Sequence, residues 1–183
     1  MSKLFQYKDI FLVPNLITYV RFLLIPPMII TFNLDMKVYF YAILFISLLS
    51  DFLDGIAARK LNQHSELGKA LDPIADGTTL FAFIILLNRR GDIADWFCIF
   101  YFVRQITILI FSLIYLPKID KIYGSNIVGK IGVCFLGAAL SIHALDFTQF
   151  IYLTDHLILI SAILLFFSLL DYLRFFFMLD SKK

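Results

Sequence analysis

The sequence predicts an all-α protein that crosses a membrane several times, and two observations support this fold class. Hydrophobic residues make up 61% of the 183 residues, which is more apolar surface than one water-soluble core can bury. These residues form six runs that approach the length of a membrane-spanning helix, about 20 residues. We therefore expect a single domain over residues 1–183, built as one bundle of six transmembrane helices.

The six runs are separated by short polar segments, none of which resembles an interdomain linker. Ahead of them, residues 1–13 combine two lysines with apolar side chains, which favours a short amphipathic segment on the membrane surface. Pro26 and Pro27 lie inside the first run and predict a kink there. The predicted spans are residues 16–32, 38–58, 67–87, 94–116, 128–145 and 157–177.

The lysines and arginines in the loops and at the span ends are divided unevenly between the two membrane faces. If both termini share one side, that side carries eleven of them, and the other side carries only Lys37, Arg89 and Arg90. The positive-inside rule then places both termini and the 59–66 loop in the cytoplasm. The net charge of +2 and the absence of a basic stripe give no indication of a nucleic acid partner.

Four aspartates interrupt the apolar sequence at the second and third spans. An aspartate at the centre of a spanning helix costs about 2.5–3.5 kcal/mol on insertion scales, so a cluster of them needs a compensating interaction. Asp51 and Asp54 are three residues apart near the cytoplasmic end of the second span, and Asp72 and Asp76 are four apart at the start of the third. Each spacing puts a pair on one helix face. Because the loop between the helices is short, we expect the four carboxylates to converge.

A cluster of four carboxylates predicts a site for hard divalent cations. Unpartnered carboxylates would repel one another, whereas Mg²⁺ or Mn²⁺ prefers oxygen ligands and keeps positions open for phosphate oxygens. Two such ions form the clamp that is used in phosphoryl transfer.

Small residues beside the aspartates would let a bulky group approach the backbone: Gly55, Ala58 and Gly68. Arg59 can hold a phosphate through two hydrogen bonds. In the alternative interpretation, the glycines serve only helix packing and Arg59 only anchors a helix end.

The spacing of these residues resembles the signature of the CDP-alcohol phosphotransferase family at every defined position, Asp51-x2-Asp54-Gly55-x2-Ala58-Arg59-x8-Gly68-x3-Asp72-x3-Asp76. The resemblance implies transfer of a phosphatidyl or similar group from a CDP-linked donor, CDP-diacylglycerol, to an alcohol, with release of CMP. It also implies a homodimer. We expect the protein in the inner membrane of a bacterium, with the active site on the cytoplasmic side that the positive-inside rule indicates.

The resemblance assigns roles to the motif residues. Two Mg²⁺ or Mn²⁺ ions would be ligated by Asp51, Asp54 and Asp72, with Asp76 completing the site and acting as general base. The CDP pocket would be lined by Gly55, Ala58, Arg59 and Gly68.

The first span resembles the Pro-Asn-x2-Thr-x2-Arg opening of bacterial phosphatidylglycerophosphate synthases and of related cardiolipin synthases. Asn15, Thr18 and Arg21 recur at helical spacing, so they share a face that should point into the bundle. Alternatively, Arg21 snorkels to the membrane surface.

Two further cations suggest how the acceptor alcohol is recognised. Arg104 lies inside the fourth span, where it should reach an acidic partner or a water-filled cavity. Lys130 follows Gly129 in a pair that resembles the Gly-Lys of phosphatidylglycerophosphate synthases, although it is also placed as an ordinary positive-inside flank. Together the two would bind the phosphate of glycerol 3-phosphate, the acceptor that we expect.

Other acceptors and one other function class stay open. Gly77 and Gln105 depart from the Lys and Glu of many relatives, which leaves phosphatidylglycerol, as in a cardiolipin synthase, inositol phosphate or serine as alternative acceptors. A cation or proton transporter also uses intramembrane carboxylates. Such a site is expected near the bilayer midplane between repeated halves, and this chain shows no internal repeat.

Overall fold

The computed structural model describes residues 11–60, 66–115 and 126–180, although some side chains within these helices are not described. Each apolar run of the sequence forms one helix, which confirms the all-α prediction. The helices are α1 (Val13–Asn33), α2 (Lys37–Lys60), α3 (Glu66–Arg90), α4 (Asp95–Tyr115), α5 (Ile127–Ala144) and α6 (Ile151–Asp180), with a 3₁₀ turn at Thr148–Phe150. Most of the predicted amphipathic segment, residues 1–10, lies outside the described residues.

Three stretches of the described chain are long and apolar enough to cross a membrane, which supports an integral membrane protein. They are Asn15–Asn33, Ile127–Ala144 and Thr148–Phe175, and α2 adds a shorter apolar stretch at Lys37–Ser47. The second half of α2 and the first half of α3 are more polar because they carry the aspartate motif. The count of six spans stays a prediction.

The start of α6 was predicted too late, at residue 157, whereas the helix begins at Ile151. The additional residues are partly polar, but the helix accommodates them: Thr154 is 2% exposed and donates to the carbonyl of Ile151 at 2.6 Å. Asp155 and His156 are exposed, so neither buries a charge.

The chain forms two compact units, Met1–Ala82 and Phe83–Lys183. In the first unit α1 packs against α2; the rings of Phe32 and Phe40 meet edge to face with centroids 5.3 Å apart. Asp35 turns the chain between these helices with a φ of 52°, a left-handed conformation that Asp tolerates better than most residues. This packing presents one side of α1 to the interior of the unit.

In the second unit α6 packs against both α4 and α5. A Cβ atom on Gly132 would lie 3.1 Å from Cγ and Cδ2 of Leu165 and 3.2 Å from Cβ of Leu164. The buried Ser161 donates to the carbonyl of Gly132 at 2.9 Å. The absence of a side chain at Gly132 therefore lets α5 and α6 approach closely.

Arg90 connects two of the interhelical turns of the second unit, those between α3 and α4 and between α5 and α6. Its Nη2 donates to the carbonyl of His143 at 3.0 Å and lies 3.6 Å from Oδ1 of Asp146, while its Nε pairs with Asp92. The end of α3 is thereby attached to the end of α5.

Candidate functional site

The aspartate motif lies on two consecutive helices of the first unit. Asp51 and Asp54 are in the C-terminal part of α2, and Asp72 and Asp76 are in the N-terminal half of α3. The side chains of Asp51, Asp54 and Asp72 lie outside the described residues, as do the surroundings of Gly55, Ala58, Arg59 and Gly68. Their convergence into one site therefore stays a prediction.

Asp76 is the motif carboxylate whose surroundings the structure describes. Its Oδ1 accepts a hydrogen bond from Nη1 of Arg21, which lies 55 residues earlier, on α1. The Asp76 side chain is 45% exposed, whereas that of Arg21 is 2% exposed. A buried cation on α1 thus holds a half-exposed carboxylate on α3.

The polar face of α1 is buried, as its spacing predicts. The exposed fractions are 1% for Asn15, 0% for Thr18 and 2% for Arg21. The alternative in which Arg21 snorkels to the surface is therefore wrong. Its pairing with Asp76 was not predicted, because nothing in the local sequence indicates which of the four aspartates would meet a residue of α1.

Thr79 is a further polar residue near Asp76, one helical turn later on α3. Its Oγ1 is buried and has no hydrogen-bond partner among the residues that the structure describes. The neighbouring Thr78 instead donates to the carbonyl of Ile74 at 2.7 Å. Sequence reasoning did not single out Thr79, because a threonine in a helix ordinarily bonds to its own backbone.

Arg104 is buried in the second unit with neutral partners. It is 7% exposed; Nε donates to the carbonyl of Leu165 at 3.3 Å and Nη1 to Oε1 of Gln105 at 2.8 Å. Within the described part of the chain, no carboxylate forms an ion pair with it. The acidic partner that the sequence suggested is therefore not found among these residues, and the positive charge stays uncompensated by them.

Lys130 is exposed and lies in the first turn of α5, where Asn126 organises the helix start. Oδ1 of Asn126 accepts from the amide of Gly129 at 2.8 Å and from Oγ of Ser168 at 2.9 Å. Its Nδ2 donates to Oδ2 of Asp171 at 2.9 Å. An Asn directly before an apolar helix is a typical N-cap signal, but its two bonds to α6 could not be predicted.

The two residues that are predicted to bind the acceptor phosphate, Arg104 and Lys130, both lie close to the same part of α6. Arg104 bonds to Leu165, and the cap of the helix that carries Lys130 bonds to Ser168. These positions are three residues apart, about 4.5 Å along a helix axis. The structure therefore brings the backbone next to Lys130 and the side chain of Arg104 to neighbouring positions on α6.

The donor set of the motif is chemically suited to Mg²⁺ or Mn²⁺, since all four predicted ligands are carboxylates and hard divalent cations prefer oxygen. No group of three or more His, Cys, Asp or Glu residues that could hold a metal occurs among the described side chains. Three of the four motif aspartates lie outside that set. The metal site therefore stays a prediction, which rests on the donor chemistry and on the spacing of the motif.

Comparison with known proteins places this chain in a family. The family profile described as CDP-alcohol phosphatidyltransferase matches residues 11–169, which include all four motif aspartates and both ends of the Arg21–Asp76 pair. The chain belongs to the CDP-alcohol phosphatidyltransferase family.

Relatives within the family carry more specific names. A protein of Aquifex aeolicus named CDP-diacylglycerol–glycerol-3-phosphate 3-phosphatidyltransferase is 35% identical over 171 residues, covering 87% of this chain and 93% of its own length. A protein of the same name from Rickettsia bellii is 37% identical over 95 residues, covering 50% of this chain, which spans about half (52%) of that relative. A putative cardiolipin synthase of Mycobacterium bovis is 31% identical over 106 residues, 57% of this chain and 51% of its own length.

Proposed function

We propose that this protein transfers the phosphatidyl group of CDP-diacylglycerol to glycerol 3-phosphate, giving phosphatidylglycerophosphate and CMP. The observation that carries the proposal is the complete motif from Asp51 to Asp76 within a chain whose whole-length relative is named for that reaction. The match with that relative covers 93% of its length, so the similarity is not confined to the motif.

In the proposed reaction, Asp76 acts as general base. Its carboxylate takes the proton of the acceptor hydroxyl while the acceptor oxygen forms a new bond to the phosphatidyl phosphorus. The bond from that phosphorus to the CMP oxygen breaks, and CMP leaves with the electron pair. The half-exposed position of Asp76 is compatible with access for an acceptor.

Two Mg²⁺ or Mn²⁺ ions would be held by Asp51, Asp54, Asp72 and Asp76, where they would neutralise the charge of the donor pyrophosphate. Around them, Gly55, Ala58 and Gly68 would leave room for the CDP group, and Arg59 would bind one of its phosphates.

Glycerol 3-phosphate is preferred as acceptor because Arg104 carries a buried charge that no described carboxylate balances. An acceptor phosphate would supply the missing negative charge, and Lys130 would add a second contact. Phosphatidylglycerol, the acceptor of a cardiolipin synthase, is the second candidate, favoured by the relative from Mycobacterium bovis. Inositol phosphate and serine remain less favoured acceptors.

The proposed enzyme is a homodimer in a bacterial inner membrane, with six spans and with both termini and the aspartate motif in the cytoplasm. The distribution of Lys and Arg supports this orientation. Both proposed substrates fit it, since one is a membrane lipid and the other a polar phosphate.

The experiment measures CMP release from CDP-diacylglycerol by the purified protein in detergent. Glycerol 3-phosphate, phosphatidylglycerol, inositol phosphate and serine are supplied one at a time, with Mg²⁺, with Mn²⁺ or with EDTA. We expect release with glycerol 3-phosphate and either metal, and none with EDTA. Release with phosphatidylglycerol alone would instead identify a cardiolipin synthase.

Asp76→Asn tests the base within the same assay. We expect folded protein without transfer, and substantial retained activity would refute the assignment of Asp76. If no acceptor leads to CMP release under any condition, the proposed activity is refuted, and cation flux into liposomes would then test the transporter alternative.

A further inference from the structure

Asn126 makes more hydrogen bonds than the start of α5 requires. As the N-cap of α5, its Oδ1 accepts from the amide of Gly129 at 2.8 Å, which is the ordinary bond of a capping side chain. Two additional bonds lead to α6, since Oδ1 accepts from Oγ of Ser168 at 2.9 Å and Nδ2 donates to Oδ2 of Asp171 at 2.9 Å. Ser, Thr or Asp can also cap a helix, but accepting from one residue of α6 while donating to another requires the amide group. The contact with α6, rather than the cap, therefore explains why residue 126 is Asn.

These bonds hold the first turn of α5 directly on α6. Gly129 is buried, and a Cβ atom on it would lie 2.6 Å from Oγ of Ser168. Ser168 is 0% exposed, so water does not compete for its hydroxyl. The backbone amide of Lys130 donates to the carbonyl of Asn126 at 3.2 Å. The backbone of Lys130 is therefore held on α6 through Asn126.

The same part of α6 also holds Arg104. Nε of Arg104 donates at 3.3 Å to the carbonyl of Leu165, which precedes Ser168 by three residues, about 4.5 Å along the helix axis. Lys130 is exposed and, like Arg104, forms no ion pair within the described part of the chain. In that part of the chain, the carboxylate of Asp171 bonds to the cap and to neither cation. Two cations without a bonded counter-charge are thus attached to one segment of α6, one through its own side chain and the other through the helix cap.

We propose that Asn126 is a positioning residue for the acceptor phosphate, because it fixes the first turn of α5 on α6 and so holds Lys130 at the distance from Arg104 at which both bind one phosphate. This inference rests on the proposed function, in which the two cations bind the phosphate of glycerol 3-phosphate. Asn126 does not touch the acceptor. A lysine side chain is long and flexible, so the position of its backbone limits where its ammonium group can lie.

Asn126→Ser separates the contact with α6 from the cap, since serine is also a good N-cap but is too short to keep both bonds to α6. The KM for glycerol 3-phosphate should rise by about 2- to 10-fold, the range that corresponds to the loss of about one net hydrogen bond. The KM for CDP-diacylglycerol and kcat should stay close to those of the wild-type protein. Ser168→Ala removes only the bond to Oδ1, so it should raise the same KM to a smaller extent. Asn126→Ser combined with Lys130→Ala should show the KM of Lys130→Ala alone, because no side chain is left to position.

Ser161→Ala is the matched control because it removes another bond between the same two helices. Ser161 donates to the carbonyl of Gly132 and lies about two helical turns before Ser168 on α6. The control should lower the Tm and keep both KM values. A purely structural Asn126 would behave in the same way, so the KM for glycerol 3-phosphate distinguishes the two roles.

The test measures kcat, both KM values and the Tm for Asn126→Ser, Ser168→Ala, Lys130→Ala, the double variant and Ser161→Ala. The positioning role would be overturned by a wild-type KM for glycerol 3-phosphate in Asn126→Ser, or by an equal rise for both substrates. It would also be overturned by an additive further rise in the double variant, or by the same rise in Ser161→Ala. In these cases, CMP release by the wild-type protein that depends on glycerol 3-phosphate still supports the proposed function. A wild-type protein without such release refutes both.

Discussion

Gly132→Ala tests whether the close approach of α5 and α6 stabilises the second unit. The new Cβ would lie 3.1 Å from Cγ and Cδ2 of Leu165 and 3.2 Å from Cβ of Leu164. These distances are shorter than ordinary van der Waals contact between carbon atoms, about 3.5–4.0 Å. Cβ of Leu164 is fixed to the backbone of α6, so relief requires the helices to separate by a few tenths of an ångström. Separation would also lengthen the 2.9 Å bond from Ser161 to the carbonyl of Gly132.

The expected change in the free energy of unfolding of Gly132→Ala is the sum of two opposing contributions. Overpacking of a close interface costs about 1–3 kcal/mol, and replacing Gly by Ala within a helix gains about 1 kcal/mol. Gly137→Ala, on the same helix, is the matched control because a Cβ there meets no atom within 4 Å. The helix-propensity gain is common to both variants, so the difference between them isolates the packing cost.

We expect the Tm of Gly132→Ala to lie below that of Gly137→Ala. For a chain of this size, 1 kcal/mol corresponds to about 2–4 °C, so the packing cost of about 1–3 kcal/mol gives a difference of about 2–12 °C. The assay is thermal unfolding of both purified variants in one detergent, followed by the loss of helical circular dichroism. Equal Tm values, or a higher value for Gly132→Ala, would show that the contact between α5 and α6 tolerates a side chain at position 132. This result would refute the predicted packing cost.

Three further predictions use other described contacts. Thr79→Val should keep activity and leave the Tm unchanged or raise it by about 2–4 °C, because it removes a buried hydroxyl without a described partner; a lower Tm would reveal a partner. Arg90→Met should lower the Tm by about 2–4 °C, since it removes the partly exposed bonds to the carbonyl of His143 and to the nearby carboxylates. A Tm equal to that of the wild-type protein would contradict this prediction. Arg104→Ala and Lys130→Ala should each raise the KM for glycerol 3-phosphate by about 10-fold or more, which corresponds to a loss of about 1.4 kcal/mol of binding free energy. The KM for CDP-diacylglycerol should not rise similarly, and an equal effect on both substrates would argue against an acceptor-phosphate site.

The helices were predictable because apolar runs in a membrane protein correspond directly to spanning or buried helices. The bounds were less predictable where polar residues continue a helix. α6 begins at Ile151, and its first turn includes Thr154, whose hydroxyl donates to the carbonyl of Ile151; hydropathy does not register such a bond. α2, which carries the first two motif aspartates, likewise continues to Lys60, since charged side chains at a helix end can remain in water.

The candidate site was predictable only where it depends on local spacing. The burial of the α1 face follows from the helical period of Asn15 and Thr18, and it is confirmed. The partners of these side chains depend on which helices meet. Arg21 reaches Asp76 across 55 positions of the chain, and Arg90 reaches His143 across 53. No local pattern encodes such pairs.

The two arginines that are buried in the described part of the chain, Arg21 and Arg104, differ in the acceptors of their hydrogen bonds. Arg21 is paired with a carboxylate of the protein, that of Asp76. Arg104 is bonded to a backbone carbonyl and to the neutral amide of Gln105, which satisfy its donors without balancing its charge. An uncompensated buried cation costs several kcal/mol, and an anionic ligand that binds there recovers part of this cost. In the proposed reaction, the phosphate of the acceptor would therefore be expected beside Arg104, whereas Arg21 already pairs with Asp76.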